Sequence, residues 1–120
     1  MRHRFEYLTR FIRAYASGRL IERSTKLQQR SFIPGKGGEP PGPGHNSGGL
    51  ALYQYETNCG RVLGHAGNFP GYTDFIGATP NGRRSAVVFA TEQLAADAKP
   101  EVFKQLRRAF RLAACAALPR

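Results

Sequence analysis

At 120 residues with a hydrophobic share of 41%, the chain forms one domain at most, with room for a modest core. No apolar run approaches the length of a bilayer span, which excludes a transmembrane helix from this stretch. The net charge of +10, from 18 Lys and Arg against 8 Asp and Glu, admits two readings. One is an electrostatic footprint for nucleic acid or an anionic membrane. The other is a solvated surface, or one part of a protein whose remainder is acidic. The charges scatter over helical segments and turns without a stripe or a nucleic-acid motif, and that favours the second.

In chain order, the basic start Met1-Arg2-His3-Arg4 is followed by no apolar signal core, so no export signal is visible. Phe5, Leu8, Ile12 and Tyr15 recur at spacings of three and four, interleaved with Arg10 and Arg13. This pattern predicts an amphipathic helix, apolar on one side and solvated on the other, ending at Gly18. Ser24 suits the N-cap of a short helical turn through Arg30, and Phe32 and Ile33 anchor the chain beyond it. Residues 1–33 are therefore read as helical.

Residues 34–49 carry half of the Gly and Pro in clustered form, Pro34-Gly35-Lys36-Gly37-Gly38-Glu39-Pro40-Pro41-Gly42-Pro43-Gly44-His45-Asn46-Ser47-Gly48-Gly49. Proline removes donors and glycine raises the ordering cost, so neither helix nor strand is expected. No phosphate-loop motif is present, and His45 is read as exposed and without a role.

Residues 50–91 read as four antiparallel strands. The signals are the alternating run Leu50–Thr57, a turn at Asn58-Cys59-Gly60, a strand Arg61–Ala66, a strand Tyr72–Ala78, a turn at Pro80-Asn81-Gly82-Arg83 and a strand Ser85–Ala90. Alternation, aromatic and β-branched content, and the Asn-Gly pair carry this assignment. Residues 99–118 then predict a second helix with Pro100 in its first turn. Val102, Phe103, Leu106, Phe110, Ala113 and Ala114 form its apolar stripe, with Lys104, Arg107, Arg108 and Arg111 outward. A basic amphipathic helix can lie on a membrane, but covering one face of the sheet is its commoner use. The fold class expected is α+β: an antiparallel meander sheet of about four strands, with an N-terminal and a C-terminal helix packed on it.

The two cysteines, Cys59 and Cys115, allow one bridge or two free thiols, and Cys115 reads equally as a small buried helix residue. No zinc-ligand spacing is present; a site built from His65, Cys59 and His45 matches no zinc pattern and is set aside.

The stretch with most chemical content is Gly64-His65-Ala66-Gly67-Asn68-Phe69-Pro70-Gly71-Tyr72. A lone strand histidine is ordinarily structural. Gly-His-x-Gly followed by Gly-Tyr and a strand–turn–strand, however, resembles the third active-site motif of the serine penicillin-recognising enzymes. These are the class C β-lactamases, the D-alanyl-D-alanine carboxypeptidases and related serine hydrolases. Many β-lactamases of the group carry Lys-Thr-Gly there, and some carboxypeptidases His-Thr-Gly. The resemblance runs from about Phe5 onward and corresponds to the last third of such an enzyme, a partial β-lactamase/transpeptidase-like fold.

By that resemblance His65 stands beside a substrate carboxylate as the cationic or hydrogen-bonding residue. Gly67 leaves room for substrate along the strand edge, and the backbone N–H of Asn68 is one of two oxyanion donors. Ala66 departs from the usual Thr or Ser and lacks the hydroxyl that helps hold a carboxylate. The family is mostly exported, so a secreted or periplasmic location is implied, where a Cys59–Cys115 bridge is permitted.

Acyl transfer also needs a nucleophile and a base, which the family draws from S-x-x-K and Tyr-x-Asn. Ser17, Ser24, Ser31, Ser47 and Ser85 are followed three positions on by Leu20, Leu27, Pro34, Leu50 and Val88. Tyr7, Tyr15, Tyr53, Tyr55 and Tyr72 are followed two positions on by Thr9, Ser17, Tyr55, Thr57 and Asp74. Neither motif is in this chain. The expectation is a C-terminal piece of a hydrolase acting on a peptide, β-lactam or ester, inactive alone, with no cofactor and no nucleic-acid partner. The rival is a small basic module that binds nucleic acid or anionic surfaces.

Overall fold

A computed structural model describes residues 2–34, 46–95 and 97–119. Its first helix, α1 (Arg2–Ser17), stops at the predicted glycine. Gly18 takes φ +78°. Its N–H donates to Tyr15 O at 3.1 Å, and that of Arg19 to Ala14 O at 3.2 Å, the paired bonds of a Schellman cap. Ile12 and Ala16 on the inward face are buried, while Phe5, at the start of the same stripe, stays 36% exposed. The short helix α2 (Arg23–Gln29) begins earlier than Ser24 implied. Glu22 holds the N-cap position in an extended conformation without a side-chain bond, and Ser24 lies inside the helix.

The sheet has six antiparallel strands in sequence order: β1 (Ile33–Pro34), β2 (Ser47–Gly48), β3 (Tyr53–Thr57), β4 (Gly60–Phe69), β5 (Tyr72–Ala78) and β6 (Ser85–Ala90). The four expected strands are β3 to β6. The other two correct the expectation for residues 34–49: Pro34 pairs with Ser47 and Ile33 with Gly48. A proline is tolerated there because β1 is an edge strand. Residues 35–45, His45 among them, lie outside the described residues.

Two strand boundaries also differ from the periodicity. β3 starts at Tyr53 because Leu50 and Ala51 occupy a tight turn. The Gly49 N–H donates to Leu52 O at 2.7 Å, and Ala51 is left-handed at φ 54°. β4 runs on to Phe69 because Pro70-Gly71 alone forms the reversal. Phe69 pairs with Tyr72 and Gly71 sits at φ +89°, as Pro and Gly at the centre of a type II turn require.

Side chains alternate between two covered faces. Val62, Phe75 and Ala86 pack with Tyr55, Leu94, Phe103, Phe110, Ala114 and Leu118 under the second long helix, α3 (Pro100–Ala117). Leu63, Ile76 and Ala78 pack with Ile12, Ala16 and Leu52 under α1, with Val87 and Phe32 alongside. The two helices therefore lie on opposite faces, and β5 is buried on both. Val102, expected in the α3 stripe, is 43% exposed, and Ile33, expected as an anchor, is exposed as well.

At Gly64 the backbone of β5 leaves no room for a side chain: a Cβ there would stand 1.8 Å from Ile76 O, so no other residue fits. Cys59, in the β3–β4 turn, is joined to Cys115 near the end of α3 by a disulfide with Cα atoms 5.3 Å apart.

Candidate active-site edge

β4 is ten residues long, but β3 accompanies it only as far as the Tyr53–Gly64 pair. From His65 to Phe69 it keeps β5 on one side and, among the described residues, has no strand on the other. His65, Ala66, Gly67 and Asn68 all fall on this half-paired segment. A run of backbone groups without a ladder partner is a template for an extended chain.

His65 is placed by two contacts. Its ring stacks on Tyr53, centroids 4.3 Å apart and planes 14° from parallel. Its Nδ1 lies 2.8 Å from Ala66 O. A carbonyl only accepts, so Nδ1 carries the proton in that contact and Nε2 is the nitrogen left for another partner. Asn68 turns its side chain inward on the α3 face, where Nδ2 donates to Leu94 O at 2.7 Å. That bond, with the Thr73 hydroxyl bonded to Glu92 O and Leu94 N–H, pins the segment after β6 against the far end of β4. A shallow depression of about 150 Å³ lies there, lined by Ala66, Gly67, Asn68, Thr73, Asp74, Phe75 and Phe103.

Asp74 is the residue that motif reading passed over. It pairs with Gly67 across the hairpin, and its carboxylate fills the space over that glycine: a Gly67 Cβ would stand 2.7 Å from Asp74 Oδ1. Burial lifts the Asp74 carboxyl above its ordinary value, against the pull of the Gly67 N–H and the nearby His65. The signal was present in the sequence. Read as a two-residue hairpin loop, Pro70-Gly71 pairs Phe69 with Tyr72 and, two steps further, Gly67 with Asp74.

The described hydrogen bonds join no serine hydroxyl to a lysine or to His65. Ser17 Oγ bonds Ala14 O and Arg19 Nε, and Ser47 Oγ is met by Gln54. The metal set considered from the sequence is closed at one member, since Cys59 is in the bridge. What the edge can do chemically is align an extended chain and present backbone groups and a histidine to it.

Comparison with known proteins agrees with this geometry at the level of fold. No protein-family model matches the chain, and no curated protein matches it. Among solved structures it resembles a D-stereospecific amidohydrolase from a Streptomyces species. The TM-score is 0.61 and the identity 26%, over 77% of this chain and 26% of that one. The α+β arrangement here, a meander sheet with a helix on each face, is thus part of a β-lactamase-like fold. The chain spans about a quarter of the amidohydrolase it matches.

Proposed function

We propose that this chain is the sheet-bearing part of a serine hydrolase that cleaves amides or esters through an acyl-serine, with the nucleophile and its lysine supplied by other polypeptide. One observation carries the reading: β4 continues past the end of β3 with no described strand beside it, and His65, Gly67 and Asn68 are on that segment, in a fold shared with an amidohydrolase. A substrate lying along this edge would offer its carbonyl to the incoming serine hydroxyl. The hydroxyl proton passes to the lysine, and the oxyanion is held by the Asn68 N–H and by the N–H of the nucleophile itself. Collapse expels the amine or alcohol, which takes the proton back, and water then releases the acid. His65 Nε2 serves as hydrogen-bonding partner for the substrate.

The candidate substrates are D-configured amides and peptides, β-lactams and simple esters; the likeness to a D-stereospecific enzyme favours the first. The Cys59–Cys115 bridge supports a location outside the cytoplasm, where disulfides persist. The basic-module reading has no comparable support. It calls for one continuous basic surface, whereas α1 and α3 lie on opposite faces of the sheet.

The test is a chimera in which this chain replaces the matching segment of the Streptomyces amidohydrolase. The expected result is measurable D-amide hydrolysis, reduced at least tenfold in kcat/KM by His65→Ala. A chimera that folds, by near-UV circular dichroism, but hydrolyses no amide or ester counts against the reading.

A further inference from the structure

We propose that the end of the α1 face of the sheet beyond Phe5, which no described side chain covers, is a binding site for a cationic aminoacyl group, its ammonium on the Asp74 carboxylate and its apolar or aromatic side chain on Phe69, Tyr72 and Phe89. The register defines the site. Asp74 lies between Gly67 on β4 and Phe89 on β6, and Tyr72 pairs with Phe69 two residues nearer the hairpin tip. By the two-residue period these residues share a face with Ile76, which packs under α1.

Phe5 is the last described side chain of α1 over this face, its ring 4.5 Å from that of Phe89. Of the aromatic residues on this face, Phe69 is 71% exposed and Tyr72 40%. Tyr72 and Phe89 are edge to face at 6.4 Å, and Phe69 is the cross-strand partner of Tyr72 on the same face. Exposed aromatics grouped in this way at the end of a sheet mark a binding surface rather than a core.

The ligand's charge follows from Asp74. In a chain of net charge +10, the ion pairs among the described residues are Glu6–Arg10 and Glu92–Lys99; Asp74 is in neither. It is half-buried beside apolar rings, where a carboxylate gains most from a bound cation. Gly67 has no side chain to stand between the carboxylate and the segment of β4 that has no described strand beside it, and the Gly67 N–H and His65 are the polar groups that face it there. An ammonium there, with an aromatic side chain on those rings, satisfies both halves of the site. An N-acylated compound loses the charge contact, and a carboxylate is repelled.

That the aminoacyl group would be part of a substrate rests on the hydrolase reading; the site itself does not. The experiment is an amide-resolved NMR titration of the full chain with phenylalaninamide, N-acetylphenylalaninamide and glycinamide at constant ionic strength. Phenylalaninamide is expected to shift Gly67, Phe69, Tyr72, Asp74 and Phe89 and to bind at least fivefold more tightly than the other two. Asp74→Asn should remove its advantage over the N-acetyl compound, and Phe69→Ala, at an exposed position, its advantage over glycinamide. Equal affinities, shifts confined to other residues, no shifts at all, or unchanged binding in both variants would each overturn the proposal. A chimera that hydrolyses amino and N-acetyl amides equally well would sink this site and leave the hydrolase reading standing. Selective binding with an inactive chimera would do the reverse.

Discussion

Gly67 and Asp74 constrain each other across the β4–β5 hairpin. The glycine admits the carboxylate, and the carboxylate explains the glycine: a Cβ would fall 2.7 Å from Oδ1. The arrangement carries a pH signature. The Asp74 carboxyl is raised in the folded chain, chiefly by burial, so between its ordinary and its raised value the native state binds more protons than the unfolded one. Stability contributed by the protonated carboxyl is therefore present below the ordinary aspartate range and lost as pH rises through the raised value. Asp74→Asn keeps the shape and an acceptor for the Gly67 N–H but has no charge to bury. Its urea midpoint is expected to exceed that of the parent at pH 7 and to match it near pH 3. A midpoint lower than the parent's at pH 7 would mean that the carboxylate is a net stabilising partner of His65 instead.

At the scale of elements, β4 and α3 hold the molecule together through different means. Phe110 on α3 is fully buried and meets Tyr55 and Phe75, ring centroids 5.4 and 5.7 Å away. The Cys59–Cys115 bridge then ties the same helix to the turn that begins β4, across a sequence separation of 56. Closing a loop of this length in the unfolded chain is worth about 4 kcal/mol on a chain-entropy argument. Replacing both cysteines by serine is expected to lower unfolding free energy by about 2–4 kcal/mol, measured by urea denaturation of the oxidised parent and the variant. A difference below about 0.5 kcal/mol would show that α3 is held by its apolar face alone.

The elements also differ in how far they were legible. The α1 stripe with its terminal glycine, the Ser85–Ala90 strand and the Pro100 helix start could be read directly, because each is specified by neighbours in sequence. Ser24 misled as a cap, since Ser is equally at home inside a first turn when the backbone has already turned helical at Arg23. The strand pairs at Pro34 and Ser47 were hidden, because pairing across the Gly/Pro segment is decided by what β3 offers as an edge and not by local composition.

At the scale of the whole molecule, the sheet separates the charges. Arg10 and Arg13 belong to the helix on one face, and Lys104, Arg107, Arg108 and Arg111 to the helix on the other. The two sets do not make one continuous track, so a polyanion lying on one face meets only the cations of that face. Fluorescence anisotropy with a labelled single-stranded oligonucleotide at 150 mM salt is expected to give a Kd of about 10 μM or weaker, in the nonspecific range. Submicromolar binding that collapses steeply with added salt would revive the basic-module reading.

The order of helix, strands and helix, the hairpin turns and the strand that carries His65 to Asn68 followed from the sequence by itself, because periodicity, turn chemistry and residue spacing are local properties. Three matters waited for the tertiary structure: which face of the sheet each helix covers, where β3 stops alongside β4, and what stands over Gly67. Each is a relation between segments distant in the chain, set by packing and register. The Asp74 carboxylate came to stand over Gly67 only once β4 and β5 were laid side by side.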